Sequence, residues 1–298
     1  MQSLELPAVT NARASSDYHA GGDQWSALGV TGIFAWAVGI APTKDNFWST
    51  DVQTDSSYSD HATISEPYNR LQSAVSTLSK GPVAPSDKIG RSDVPLIMKS
   101  VAADGRLLQG DKPAMMIQAQ HNARAQLPGT ESSPLNDGEV WSTTTTLSGM
   151  VWATTLAARL TSAFTLDLEK DCGLRGKYAS YRANSTATLV ATNTITLPPM
   201  RSDWDFDVIS SAPLLPNGWA LLGEPSKWVA VSAARFRDVA YTAAGGASVT
   251  AMGPEGEHVD VAWLDPRGKR TVVSCVVPRG DSISVRISAA GVGACVEL

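Results

Sequence analysis

Gly81-Pro82-Val83-Ala84-Pro85-Ser86-Asp87-Lys88-Ile89-Gly90 is a short apolar run that ends in a polar, glycine-closed loop. It stands between two stretches with helical spacing of apolar residues, 68–78 upstream and 94–102 downstream. An apolar segment held between helices and closed by a polar loop is one turn of a β/α unit. Helical patterns at 25–40 and 115–125, and a short apolar segment at 4–9, extend the same alternation toward both sides. A few more such turns would make a barrel or a doubly wound sheet, and three or four cannot close one. The apolar stretch 27–41 is shorter than the roughly 20 residues that span a bilayer. It is also interrupted by Gly29, Thr31, Gly32 and Gly39, and reads as a buried helix.

The composition changes near residue 130. Residues 126–138, rich in Pro, Gly, Ser and Asn, make the best linker. Beyond them Thr, Val and Ala alternate in short runs at 140–146, 178–183, 187–197, 219–222, 228–231, 234–241, 247–252, 259–264, 271–277 and 282–287. Turn signals such as Pro216-Asn217-Gly218, Gly245-Gly246 and Asp265-Pro266-Arg267-Gly268 separate many of them. Strands at this spacing predict an antiparallel sandwich, with 151–160 as a helix joining the halves. No repeat of fixed period points to a solenoid or propeller. The expected fold is therefore α/β plus all-β: part of a β/α barrel or of a doubly wound sheet over residues 1–128, then an antiparallel β-sandwich over residues 139–298.

The 298 residues carry 24 Lys and Arg against 29 Asp and Glu, a net charge of −5, with 43% hydrophobic and 18% charged residues. That balance supports a sizeable core and leaves no basic footprint for nucleic acid. Residues 1–5 lack the basic and apolar regions of a signal peptide. Cys172, Cys275 and Cys295 form no closed framework and read as free thiols, although Cys275 and Cys295 would meet on paired strands. A single Asn184-Ser185-Thr186 sequon would suit a secretory route. The four histidines have no second ligand at metal spacing, and no nucleophile elbow, P-loop or dinucleotide fingerprint is present. Asp203-Trp204-Asp205-Phe206-Asp207 lacks the glycine and distant glutamate of a calcium loop, and reads as a solvated strand face with its aromatic residues inward. No metal or organic cofactor is expected.

Chemistry concentrates near the start. In Asn11-Ala12-Arg13-Ala14-Ser15-Ser16-Asp17-Tyr18, Arg13 and Asp17 follow the apolar segment 4–9, where a barrel strand hands its side chains to an active-site mouth. Spacing alone makes them a surface ion pair. Pro42-Thr43-Lys44-Asp45-Asn46-Phe47-Trp48 then gathers a carboxylate, an amide and two aromatic rings, the mix that binds a sugar. Asp87 and Lys88 follow in the next loop, and Asp104-Gly105-Arg106 after the next helix.

In that order the segments resemble the raffinose synthase and alkaline α-galactosidase group, a branch of the α-galactosidase clan. The resemblance rests on 12–18, 42–47, 81–90 and 103–108 and is most specific at Ser86-Asp87-Lys88 with Gly90. Ser16 replaces the first of two aspartates, Asn46 an aromatic or acidic residue, and Ile89 a proline. The resemblance implies that Asp17 is the general acid/base, with Arg13 beside it, and that Asp45, Trp48, Asp87 and Lys88 contact the sugar. It also implies that residues 1–128 are the C-terminal half of a (β/α)8 TIM barrel, with a retaining mechanism whose nucleophile lies two barrel strands earlier, outside this chain, so that the chain is expected to be a fragment and inactive alone. The expected partner is a carbohydrate substrate, with no nucleic acid and no membrane span. The alternative is a non-catalytic, carbohydrate- or protein-binding β-sandwich served by some of the nine tryptophans, although Trp141, Trp152, Trp219, Trp228 and Trp263 sit in apolar runs that read as core. The Thr/Val/Ala-rich composition alone would also suit a structural coat protein.

Overall fold

The computed structural model describes residues 8–22, 24–54, 65–125, 138–183, 188–190, 193–202 and 205–298. The linker at 126–137, the sequon at 184–186 and Asp203 and Trp204 lie outside the described residues.

The chain opens with β1 (Asn11–Arg13), α1 (Leu28–Ala37) and β2 (Ala41–Thr43). β1 and β2 pair in parallel, Asn11 with Ala41 and Arg13 with Thr43, which requires the crossover that α1 supplies. α2 (Asn69–Leu78) leads to a third extended segment. There Gly81 N–H donates to Pro42 O at 2.9 Å, and Phe47 and Pro85 form a parallel bridge. A Cβ at Gly81 would stand 2.7 Å from Pro42 O, so this approach requires glycine. The β/α alternation expected for the first third is thus present as two parallel connections. These three short segments alone do not establish a barrel.

α1 is shorter than its apolar run and is not buried all round. Leu28, Gly29, Gly32 and Ala35 face the core, whereas Phe34 is 74% exposed. The run is apolar on every face, and the other elements cover only one of them. α3 (Val94–Ile97) is a single turn started by Asp93, whose carboxylate accepts from Leu96 N–H at 3.0 Å. The expected helix at 115–125 divides into β3 (Met115–Met116) and α4 (Gln118–Ala125).

β4 (Glu139–Leu147) and β5 (Met150–Ala158) form a hairpin whose turn residues Ser148 and Gly149 have φ of 49° and 75°. Two positive φ values in a two-residue turn match the twist of the flanking strands. This corrects the helix expected at 151–160. Ala and Leu favour a helix there, but Ser148-Gly149 sets the hairpin, and β5 is then paired on both sides. β6 (Phe164–Asp167) precedes α5 (Leu168–Cys172), where Asp167 accepts from the N–H groups of Glu169 and Lys170. β7 (Tyr178–Arg182), β8 (Thr188–Val190), β9 (Thr194–Leu197) and β10 (Phe206–Pro213) follow. The six-stranded antiparallel sheet runs β3-β4-β5-β10-β7-β8, and β6 pairs with β9.

The last third contains β11 (Ala220–Gly223), β12 (Phe236–Tyr241), β13 (Ala247–Met252), β14 (His258–Leu264), β15 (Arg270–Val276), β16 (Ser282–Ile287) and β17 (Gly293–Glu297). They form sheets β11-β14-β15 and β12-β13-β16-β17, whose inward residues share one core, so the expected β-sandwich is present. Residues 228–231 are a buried loop rather than a strand. Cys275 and Cys295 form a disulfide, which corrects their reading as free thiols. It joins β15 to β17 in different sheets rather than on hydrogen-bonded strands. The five tryptophans expected in the core are all buried.

The composition change near residue 130 does not interrupt the core. Trp25, Leu28 and Leu71 from the first third pack in one cluster with Trp141, Leu156 and Trp228.

Candidate functional site

Arg13 ends β1, and the loop after it carries Asp17. Asp45 lies two residues beyond β2. Parallel neighbours place their C-terminal ends side by side, so these loops meet. One guanidinium then joins both carboxylates: Arg13 Nη2 lies 2.6 Å from Asp17 Oδ1 and Nη1 lies 3.1 Å from Asp45 Oδ2. Asp17 is 73% exposed and Asp45 24%, so the first faces solvent and the second is set into the loop.

Further bonds fix Asp45. Tyr18 N–H donates to its Oδ2 at 2.8 Å, and its own N–H donates to Ser15 Oγ at 2.9 Å. Burial works against the Asp45 carboxylate, but the N–H groups of Tyr18 and Asn46, with Arg13 and Lys44, outweigh it and hold its pKa below the usual value.

Beneath the loop lies a second layer. Tyr18 is 3% exposed, and its hydroxyl donates to Glu66 Oε2 at 2.7 Å and accepts from Trp48 N–H at 3.2 Å. Glu66 also accepts from Gly21 N–H and Tyr68 N–H. Burial raises the Glu66 pKa despite these donors, and burial raises the Tyr18 phenol too, with the Glu66 charge adding to it. Lys44 is 1% exposed, and its Nζ donates to Asn46 O at 2.9 Å and Asp45 O at 3.3 Å. Its pKa falls to about 7 because burial disfavours the ammonium more than Glu66 and Asp45 favour it.

The six residues anticipated for the site separate into two groups. Arg13, Asp17 and Asp45 come together. Trp48 is buried edge-on against Tyr18, with ring centroids 6.3 Å apart, and offers no open ring face. Asp87 is occupied within the chain: it accepts from Ser49 N–H at 2.7 Å, Ser49 Oγ at 2.6 Å and Gln53 Nε2 at 3.0 Å. It pins the loop after Trp48 to the loop after Pro85. Lys88 is exposed beside it, with its N–H donating to Gln53 Oε1. Sequence reasoning missed Ser15, Lys44 and Glu66. Lys44 carried a signal, a lone cation between Pro42 and Phe47-Trp48. Glu66 carried none, because a carboxylate in a loop shows its burial only after folding.

Beside Arg13, between β1 and α1, lies an apolar groove of about 540 Å³ bordered by Ala14, Thr31, Phe34, Val38 and Ile40. Among the described residues no cluster of three or more metal-binding side chains occurs, and no helix is long and apolar enough to cross a membrane.

No protein-family model matches the chain, and no curated protein matches it. Among solved structures, isomalto-dextranase of Arthrobacter globiformis T6, complexed with panose, aligns over 93% of this chain and 49% of its own, at 10% identity and a TM-score of 0.39. The chain thus spans about half the length of that structure, and a likeness of this extent assigns neither fold nor function.

Proposed function

We propose that the chain carries the acid/base side of a carbohydrate-active site: a retaining glycoside hydrolase or transglycosidase for α-linked, α-galactosyl-type sugars. The observation that carries this reading is Arg13, which holds two carboxylates from the ends of adjacent parallel strands at one surface. In this reading the first third, to residue 128, belongs to a larger (β/α)8 barrel, and the sandwich from residue 139 supports it. The groove beside β1, rimmed by the exposed Phe34, is where a further strand and helix would pack. The α-galactosyl preference rests on the sequence resemblance.

Asp17, solvent-facing on Arg13, donates a proton to the leaving oxygen and then takes one from water or an acceptor sugar. A retaining mechanism needs a second carboxylate about 5–5.5 Å away as nucleophile. Asp45 is held by Arg13 and Tyr18 N–H, which suits an acceptor for a sugar hydroxyl better than an attacking group. The nucleophile is then supplied from outside this chain. Lys88 stands on the rim, while Trp48 and Asp87 brace the mouth from within.

The test uses the protein as isolated from its source, assayed on p-nitrophenyl α-D-galactopyranoside and raffinose. Turnover is expected to fall by about 10²–10⁴ in Asp17→Asn with the fold intact. The 298-residue chain alone is expected to be inactive. Undiminished turnover in Asp17→Asn overturns the assignment. Absence of turnover, with retention of the chain on immobilised oligosaccharide, favours a binding module.

A further inference from the structure

Lys44 is the side chain that this proposed chemistry leaves unused and the structure treats with most care. It has 1% of its surface exposed. A buried ammonium is costly unless every proton finds a partner, and here the partners are specific. Two are the carbonyl oxygens of Asp45 and Asn46. Two aromatic rings also flank it, with Nζ 5.0 Å from the Tyr18 ring centroid and 5.9 Å from that of Phe47, within the range of a cation–π attraction.

These partners converge on the loop that presents Asp45. The Asp45 carboxylate meets Tyr18 N–H and Arg13 on one side, and its carbonyl meets Lys44 on the other. The aromatic ring that flanks Lys44 belongs to the residue whose N–H holds that carboxylate. We propose that Lys44 is a positioning residue, whose buried positive charge fastens the Asp45-Asn46 segment and the Tyr18 ring and so sets the Asp45 carboxylate on Arg13. The role concerns assembly of the site and holds whether or not the site cleaves a glycoside.

The groups around Lys44 are Glu66 from the loop before α2, Tyr18 from the loop after β1 and Asp45 from its own loop, with Arg13 beyond Asp45 and Asp87 beyond Tyr18. Lys44 loses its proton near pH 7, below the 10.5 of a free lysine. Its charged contacts to the two carbonyls and the rings therefore weaken across neutrality, while Asp45 stays ionised. The linkage has the opposite sign for stability. Between about pH 7 and 10.5 the unfolded chain binds the extra proton, so the unfavourable burial of the ammonium is relieved as pH rises.

The experiment is NMR on the whole chain with ¹³Cε/¹⁵N-labelled lysine and backbone ¹⁵N, titrated from pH 5.5 to 9. His19 is replaced by Gln in every sample, so that the side chain next to Tyr18 is the same neutral amide throughout. One lysine resonance, assigned to Lys44 by its absence in Lys44→Met, is expected to titrate with a midpoint near 7. The amide signals of Tyr18 and Asn46 should follow with the same midpoint, stay flat in Lys44→Met, and be held in the low-pH position in Lys44→Arg. Should Lys44→Met fail to fold, the coincidence of the lysine and amide midpoints in the parent chain decides the matter. Amides that stay still while Lys44 titrates, or that move alike in Lys44→Met, overturn the proposal. Loss of glycosidase activity does not enter these readouts, so failure of the functional reading leaves them interpretable.

Discussion

At the scale of single residues, Arg235 decides more than any side chain near the candidate site. It is 1% exposed; its Nε donates to Glu224 Oε2 at 3.0 Å, and its Nη1 and Nη2 donate to Glu257 at 2.8 and 2.6 Å. Glu257 Oε1 also accepts from Ala103 N–H, and Lys227 Nζ, 3.8 Å from Glu224, donates to Met98 O and Val101 O. The cluster balances two acids with two bases and ties the turn after α3 to the sandwich. Removing one partner of a buried pair leaves an uncompensated charge, at a cost of about 3–5 kcal/mol. Arg235→Met should lower the urea midpoint accordingly at pH 7.5. Burial opposes the Glu257 carboxylate, but Arg235 and Ala103 N–H outweigh it and lower its pKa. Its contribution is therefore present above its unfolded value of 4.5 and is lost as pH falls through its folded one. Without Arg235 both acids take up protons more readily, so the penalty should shrink at pH 4.5. An equal penalty at both values would mean that Arg235 acts by packing alone. Charge pairs of this kind are not legible in a sequence: Arg235 and Glu257 are 22 residues apart, on opposite sides of a hairpin. Arg13 and Asp17 are legible because they stand four residues apart.

At the scale of elements, local pattern predicts existence better than kind. α2 follows its apolar spacing, with Leu71, Ala74, Val75 and Leu78 all buried. The stretch that became β5 reads as a helix by composition, and only the Ser148-Gly149 turn before it argues otherwise. The pairing with β10 that fixes it as a strand comes from about 50 residues downstream. α1 gives a sharper example, because two of its glycines have opposite meanings. A Cβ at Gly29 would run into the indole of Trp141, whose Nε1 donates to the buried Glu139 carboxylate at 2.8 Å. A Cβ at Gly32 would make only ordinary contact, 3.6 Å from Pro42 Cγ. Alanine in place of a helical glycine gains about 1 kcal/mol from propensity, and overpacking costs about 1–3 kcal/mol. Gly32→Ala should therefore stabilise the protein by up to about 1 kcal/mol, whereas Gly29→Ala should destabilise it by up to about 2 kcal/mol. Denaturant unfolding of both variants tests the packing of α1 on the sheet. Equal gains would mean that the helix sits farther from Trp141.

At the scale of the whole molecule, residue 130 separates two compositions but not two cores. Trp228, in the loop after β11, donates through Nε1 to Ser73 of α2 at 3.0 Å, and Ser232 Oγ donates to Gln109 O at 2.7 Å. Such contacts tie the three short parallel segments to the rest of the fold, since α2 packs in one cluster with β4, β5, β10 and the loop after β11. A composition scan detects the change of element type and cannot detect burial shared across it. The far end of the sandwich depends on a different device. Its two sheets share apolar contacts, and their strands β15 and β17 are joined by Cys275–Cys295, 20 residues apart. With three cysteines, counting alone leaves the pairing open; what selects these two is the packing of one sheet on the other. Closing a loop of this length stabilises the folded state by about 3 kcal/mol through the unfolded chain. Cys295 is exposed, so a soluble reductant can reach the bond. Reduction should lower the melting temperature by several degrees, and the Cys275→Ala/Cys295→Ala chain should melt at that lower temperature with no response to reductant. Cys172 lies on α5 beside Ser142 and Thr155, away from both, and serves as the internal control. If the parent chain melts at the same temperature with and without reductant, the facing sheets are held by their apolar core alone.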